Sequence, residues 1–152
     1  MESGKVIGFF HAGITVKNLE ASLDFYCNML NLELVRLQDS SQDYIREMLS
    51  LPGLQKIKIA LLKVPGSDVM VELLEYVGVE RFPGNCRPCD YGSGHICLFV
   101  TNLEEIYREF VEKGVRFRSG PVHITAGVNT GAKAIYMMDP DGYIVELVER
   151  PK

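Results

Sequence analysis

The chain has 152 residues, 47% hydrophobic and 24% charged, and its 16 Lys and Arg against 20 Asp and Glu give a formal net charge of −4. That is length enough for one ordinary domain with a real core. The mildly acidic balance supplies no basic stripe for phosphate backbones and argues against nucleic-acid binding. No run approaches the ~18 apolar residues of a membrane span. The short apolar run near the N-terminus is interrupted by Gly8, His11 and Gly13, which is unlike a signal peptide. The expected compartment is the cytoplasm, where Cys27, Cys86, Cys89 and Cys97 are thiols.

In chain order, residues 6–16 alternate cleanly, with Phe10, Ala12, Ile14 and Val16 on one face and Phe9, His11, Gly13 and Thr15 on the other. This predicts a half-buried strand. Asn18 stands where an N-cap is wanted, Glu20 meets the positive helix end, and Leu19, Leu23, Tyr26 and Leu30 predict an amphipathic helix over 19–30. Strands are predicted over 31–37, 56–63 and 69–76, with an extra short helix over 43–50. Residues 77–93, carrying Gly78, Pro83, Gly84, Pro88 and Gly92, read as a linker. Within it, Cys86-Arg-Pro-Cys89 has no second pair to close a tetrahedral zinc site and reads as ordinary loop cysteines.

The pattern then restarts. His95, Cys97 and Phe99 oppose Ile96, Leu98 and Val100; Asn102 caps a helix striped by Leu103, Ile106, Tyr107, Phe110 and Val111; Gly114 ends it. Strands follow over 115–118, 132–138 and 142–149, the last two joined by the turn Asp139-Pro140-Asp141-Gly142. The restart is an internal repeat. His11, Val16, Asn18, Leu19 and Glu20 recur 84 residues later as His95, Val100, Asn102, Leu103 and Glu104. Val71-Glu72-Leu73-Leu74-Glu75 recurs 74 residues later as Val145-Glu146-Leu147-Val148-Glu149. The expected fold class is therefore α+β. One domain is built from two β-α-β-β-β modules, about 6–76 and 94–149, related by a pseudo-twofold.

The repeated polar residues carry the chemistry. Both histidines lie on the strand face opposite the helix-packing residues, and Glu72 and Glu146 share their strands' corresponding face. Glu75 and Glu149 fall on the other face near the strand ends and read as solvated charges. A carboxylate among apolar strand neighbours is costly without a compensating cation or donors. Meeting that cost twice, each time beside a histidine, predicts one shared cation for His11, Glu72, His95 and Glu146, a set of two nitrogens and two oxygens suited to a borderline divalent ion. His123 has no repeat partner and reads as a loop or supporting residue. Arg116, Arg118 and Lys133, beside the Gly-rich loop 125–131, read first as solvated charges and second as contacts for an anionic substrate near the mouth of the site.

Four segments carry a family resemblance: FFHAGITVKNLEASLDFYCNMLNLELV, VELLEY, GHICLFVTNLEEIYREFVEKGVRF and IYMMDPDGYIVELVE. The chain resembles the vicinal oxygen chelate superfamily, which includes glyoxalase I, methylmalonyl-CoA epimerase, extradiol dioxygenases and bleomycin resistance proteins, and it resembles the four-ligand branch most. The resemblance implies curled mixed sheets enclosing a metal site, helices outside, and a homodimer. It implies one divalent ion (Zn, Ni, Co, Mn or Fe) held by His11, Glu72, His95 and Glu146. The implied activity is proton-transfer isomerase, lyase or epimerase chemistry on a small oxygenated metabolite or its thioester, through a metal-stabilised enediolate. Glu146 would be the base, with Glu72 as second candidate. Thr15 and Tyr76 stand where the bacterial glyoxalases carry an Arg and an Asn that hold glutathione, which weakens lactoylglutathione as the substrate. Against the acyl-CoA epimerases, Glu72 replaces the usual Gln, and the DPDG turn replaces an HPK-like one. The alternatives are a ring-cleaving dioxygenase using two His and one Glu, and a non-enzymatic protein that sequesters a drug or other ligand.

Overall fold

A computed structural model of the chain describes residues 3–84 and 87–151. They divide into two compact units, Met1–Arg81 and Phe82–Lys152, which repeat one topology. Among the described residues no helix is long and apolar enough to cross a membrane. Cys86 lies outside the described residues, so the CxxC reading is tested only at Cys89, an exposed free thiol.

In the first unit β1 is His11–Thr15, α1 is Leu19–Leu23, β2 is Glu33–Ser40, α2 is Asp43–Leu49, β3 is Lys56–Lys63 and β4 is Met70–Val77. The sheet order is β1-β4-β3-β2, with β1 parallel to β4 and the other pairs antiparallel. The expected strand over 6–16 is shortened at its start. β4 begins at Met70, which pairs with His11, so residues 6–10 find no strand partner among the described residues, and Val6, Ile7, Phe9 and Phe10 are exposed.

The expected helix over 19–30 is not continuous. After α1 the chain widens into a π-helical segment, Asp24–Met29, where the Leu30 N–H donates to the Phe25 carbonyl five residues back at 3.1 Å. Both Phe25 and Tyr26 are buried there, although they are adjacent in sequence; this run of aromatics is not the spacing of a simple α-helical stripe. The N-terminus is as expected: Asn18 is extended and its Oδ1 accepts from the Ala21 N–H at 2.8 Å. Asn18→Ala is expected to lower stability by about 1 kcal/mol, read as a lower urea midpoint at unchanged m-value.

One sheet face holds Val71 and Leu73 of β4, Ala60 and Leu62 of β3, and Ile14 of β1, all buried. This is the helix-packed core, and alternation along each strand puts His11, Leu61 and Glu72 on the opposite face. α2 closes one end of that second face: Ile45 packs with Leu54 and Ile57, against Ile59, Leu74 and Tyr76. Arg46 pins α2 there by donating to the carbonyls of Leu54, at 2.7 Å, and Ser41.

The second unit has β5 His95–Phe99, α3 Leu103–Glu112, β6 Arg116–Phe117, β7 Val122–His123, β8 Lys133–Met138 and β9 Ile144–Glu149. Its order, β5-β9-β8-β6, copies the first unit, with β5 parallel to β9 and β7 added on β8. β7 is a two-residue strand that periodicity could not signal; it carries His123, read as loop or supporting, as an exposed strand residue paired with Lys133. Ile135, Met137, Val145 and Leu147 form the helix-packed face with Leu103 and Phe110 of α3. α3 ends at Glu112, and Gly114 follows at φ +79, where L side chains are strained. Asp139, buried in the tight turn, accepts the backbone N–H groups of Asp141 and Tyr143 at 2.9 and 2.8 Å.

Candidate metal centre

Parallel pairing of β1 with β4 sets His11 opposite Met70 and Gly13 opposite Glu72. Side chains two residues apart on one face are neighbours, so the imidazole leans over the strand to the carboxylate, with His11 Nε2 lying 3.2 Å from Glu72 Oε2. Gly13 puts no side chain beside Glu72 from β1, and Leu61 of β3 flanks it on the other side. Both polar groups are partly covered, 29% and 21% exposed. His11 Nδ1 is buried with no hydrogen-bond partner among the described residues, which leaves Nε2 as the nitrogen open to a ligand.

The second unit builds the same pair. β5 runs parallel to β9, with His95 opposite Ile144 and Cys97 opposite Glu146, and His95 Nε2 lies 3.1 Å from Glu146 Oε2. Here Glu146 has two polar neighbours in register, Cys97 on one side and Tyr136 on the other. The Cys97 thiol is desolvated by its strand neighbours although part of the residue is exposed. That desolvation, with the Glu146 carboxylate beside it, pushes its pKa up to about 11, so it is a neutral thiol rather than a reactive thiolate. Tyr136 is likewise shifted upward, by desolvation first and then by Glu146 and Cys97.

Each unit thus brings together one of the expected His–Glu pairs. The donor types, an imidazole nitrogen and a carboxylate oxygen in each unit, are those a divalent cation takes, but each unit supplies only two of them, and among the described residues no group of three or more potential ligands forms. Ligand bonds of about 2.0–2.2 Å put adjacent donors on one ion roughly 2.8–3.6 Å apart, from octahedral to tetrahedral angles, and the separations of 3.2 and 3.1 Å fall within that span.

The second Glu of each VELxE segment is not a solvated charge. Glu75 is 8% exposed; its Oε2 accepts the Leu19 N–H at 2.7 Å and its Oε1 meets Lys58 Nζ at 2.9 Å. Glu149 accepts the N–H groups of Asn102 and Leu103 at 2.9 and 3.2 Å. Each carboxylate therefore caps its own module's helix, where orphan N–H groups and the positive dipole end favour an anion. Asn102 does not repeat Asn18: it is left-handed at φ 56 with no side-chain cap, and Glu149 substitutes for it. A signal for this was present in the sequence. The second Glu lies an odd number of positions from the first, and so on the helix-packed face. Lys133, read as a solvated charge, is tied to Glu104 at 2.9 Å, and Arg116 reaches the Asp139 carbonyl.

A mixed sheet with its helix on one face and a His–Glu pair on the other, built twice in one chain, defines a duplicated two-module α+β protein. Residues 8–147 match the model of the Glyoxalase/Bleomycin resistance protein/Dioxygenase superfamily, and the chain belongs to that superfamily. It is 28% identical over 140 residues to a probable lactoylglutathione lyase of Synechocystis sp., covering 91% of this chain and 92% of that protein. It is also 28% identical over 147 residues to glyoxalase I of Saccharomyces cerevisiae, covering 92% of this chain but 42% of the yeast protein. Among solved structures, a glyoxalase family protein of Bacillus cereus superposes with a TM-score of 0.84, covering 100% of this chain and 99% of that one, at 16% identity. That likeness concerns the fold.

Proposed function

We propose that the protein is a metal-dependent glyoxalase-like enzyme in which His11, Glu72, His95 and Glu146 hold one divalent ion. The observation that carries this reading is the duplicated pair: the same residue types, at the same strand register, with nitrogen–oxygen separations of 3.2 and 3.1 Å in two units. The names of the similar lyases support the same class of chemistry. Bound there, the ion would act as a Lewis acid on two neighbouring substrate oxygens and spread the charge left when a proton departs.

The chain's own residues do the rest. The histidines would hold the ion through Nε2, the nitrogen turned toward the glutamate in each unit. A glutamate, Glu146 first and Glu72 second, takes the proton from a carbon next to a carbonyl and returns it to the neighbouring carbon or to the opposite face of the same one. One C–H bond breaks and another forms, so no oxidant is consumed. Leu61 and Leu74 flank Glu72, and Ile144 and Val148 flank Glu146 along β9. These apolar neighbours thin the water around each carboxylate and favour proton transfer with the substrate. The substrate class is a small oxygenated metabolite or its thioester, and the working unit is a homodimer.

Two measurements test this. Elemental analysis of protein purified without added metal should find close to one divalent ion per chain. In D2O, turnover of the hemithioacetal of methylglyoxal and a thiol should place deuterium at the neighbouring carbon, the one that receives the proton, next to the new thioester carbonyl. Protein with no bound metal and no exchange above the uncatalysed rate would overturn the proposal.

A further inference from the structure

The two half-sites match in their ligand types but not in what stands beside them. At the position in register with the first glutamate, the central antiparallel strand carries Leu61 in one unit and Tyr136 in the other. Both histidines have an aromatic neighbour: Phe10 lies 4.7 Å from His11, and Tyr136 lies 5.3 Å from His95 with the rings inclined at 40°. A ring beside the imidazole is therefore common to both, and the hydroxyl is particular to the second. That hydroxyl is on the same face as Glu146, and the residue is half-buried. It makes no hydrogen bond to the protein among the described residues. A partly desolvated phenol without a partner is costly unless water or a ligand meets it. The Cys97 thiol is a weak donor and already hydrogen-bonds to Glu146, so of the two residues in register with Glu146 it is Tyr136 that offers the strong donor.

We infer that Tyr136 is a specificity-determining residue whose hydroxyl donates a hydrogen bond to a substrate oxygen lying against Glu146. Leu61, at the matching position of the first module, offers only apolar surface. The inference rests on the proposed metal centre and adds a direction to it: a substrate binds with an acceptor oxygen on the second module, and the two glutamates cease to be equivalent. Substrates lacking that oxygen are selected against, because the phenol is then left unpaired.

The test uses the full-length protein loaded with Co(II) and acetohydroxamate, a small two-oxygen chelator, titrated by the visible cobalt bands. Tyr136→Phe is expected to keep the cobalt content and the Tm of the parent while the Kd for acetohydroxamate rises about tenfold, the size of one lost hydrogen bond. An affinity within twofold of the parent overturns the assignment of Tyr136 while leaving the centre intact. Failure of the parent to take up cobalt, or a cobalt spectrum that acetohydroxamate does not change, overturns the centre itself and this assignment with it.

Discussion

Glu72→Gln is expected to lower the turnover of a hemithioacetal by roughly 10²–10⁴-fold, with the fold unchanged by far-UV circular dichroism. The substitution keeps the size and the hydrogen-bonding oxygen of the side chain, so β4 loses no packing. It removes the negative charge that a cation-binding pair supplies and the lone pair that could accept a proton. His11 Nε2, 3.2 Å from Oε2, would then face an amide. Metal content measured on the same sample should fall, because the four-ligand reading asks both carboxylates to balance a divalent charge. The outcome also separates two chemistries within the superfamily. A ring-cleaving site built from two His and one Glu predicts nearly full metal content and activity in Glu72→Gln, and that result would remove the proton-transfer reading.

The second large effect is on stability. Glu75→Ala should cost about 2–3 kcal/mol, because hydrogen bonds to charged groups contribute about 1.5–3 kcal/mol and their loss leaves the Leu19 N–H unpaired in a buried place. Glu75→Gln keeps an acceptor for that N–H and loses only the attraction to Lys58, so it should cost less. Urea unfolding of the three proteins checks the order. Equal midpoints for Glu75→Ala and the parent would show that the cap contributes nothing.

The same carboxylate sets an acid limit. Burial is the largest single influence on Glu75 and raises its pKa. The Leu19 N–H, the Lys58 hydrogen bond and the charges of Lys58 and Arg81 together outweigh it and hold the group below its ordinary 4.5. A pKa depressed by folding means the unfolded chain binds the proton more readily. The stabilisation is therefore complete well above pH 4.5 and disappears as pH falls through the folded value. Between pH 7 and about 3 the parent should lose more stability than Glu75→Gln, which has no proton to gain at this position.

Much of the architecture was legible because the chain states it twice. β3 was bounded to the residue, Lys56–Lys63, since an apolar-rich run lies there between the turn pairs Pro52-Gly53 and Pro65-Gly66. The short helix Asp43–Leu49 and the second-module helix Leu103–Glu112 also fell where spacing placed them. The misses share a cause. Residues 6–10 alternate like a strand, yet strand formation needs a partner, and β4 starts only at Met70. Asp24–Met29 has helical spacing, yet the widened turn there depends on burying Phe25 and Tyr26 together. Glu75 and Glu149 are charged residues near strand ends, which ordinarily reach water. Only the helix docked over each sheet turned them into caps.

By itself, the sequence determined the duplication, the α+β class and the family, and it put one histidine and one glutamate on the same face of each half. These follow from residue identity and from a side-chain period of two, which are local and additive. The tertiary structure decided that the second glutamates are helix caps rather than solvated charges, that Gly13 and Leu61 border one carboxylate where Cys97 and Tyr136 border the other, and that the Tyr136 hydroxyl beside Glu146 has no hydrogen-bond partner among the described residues. Those depend on strand register, and register is a contact between segments tens of residues apart that no local pattern encodes.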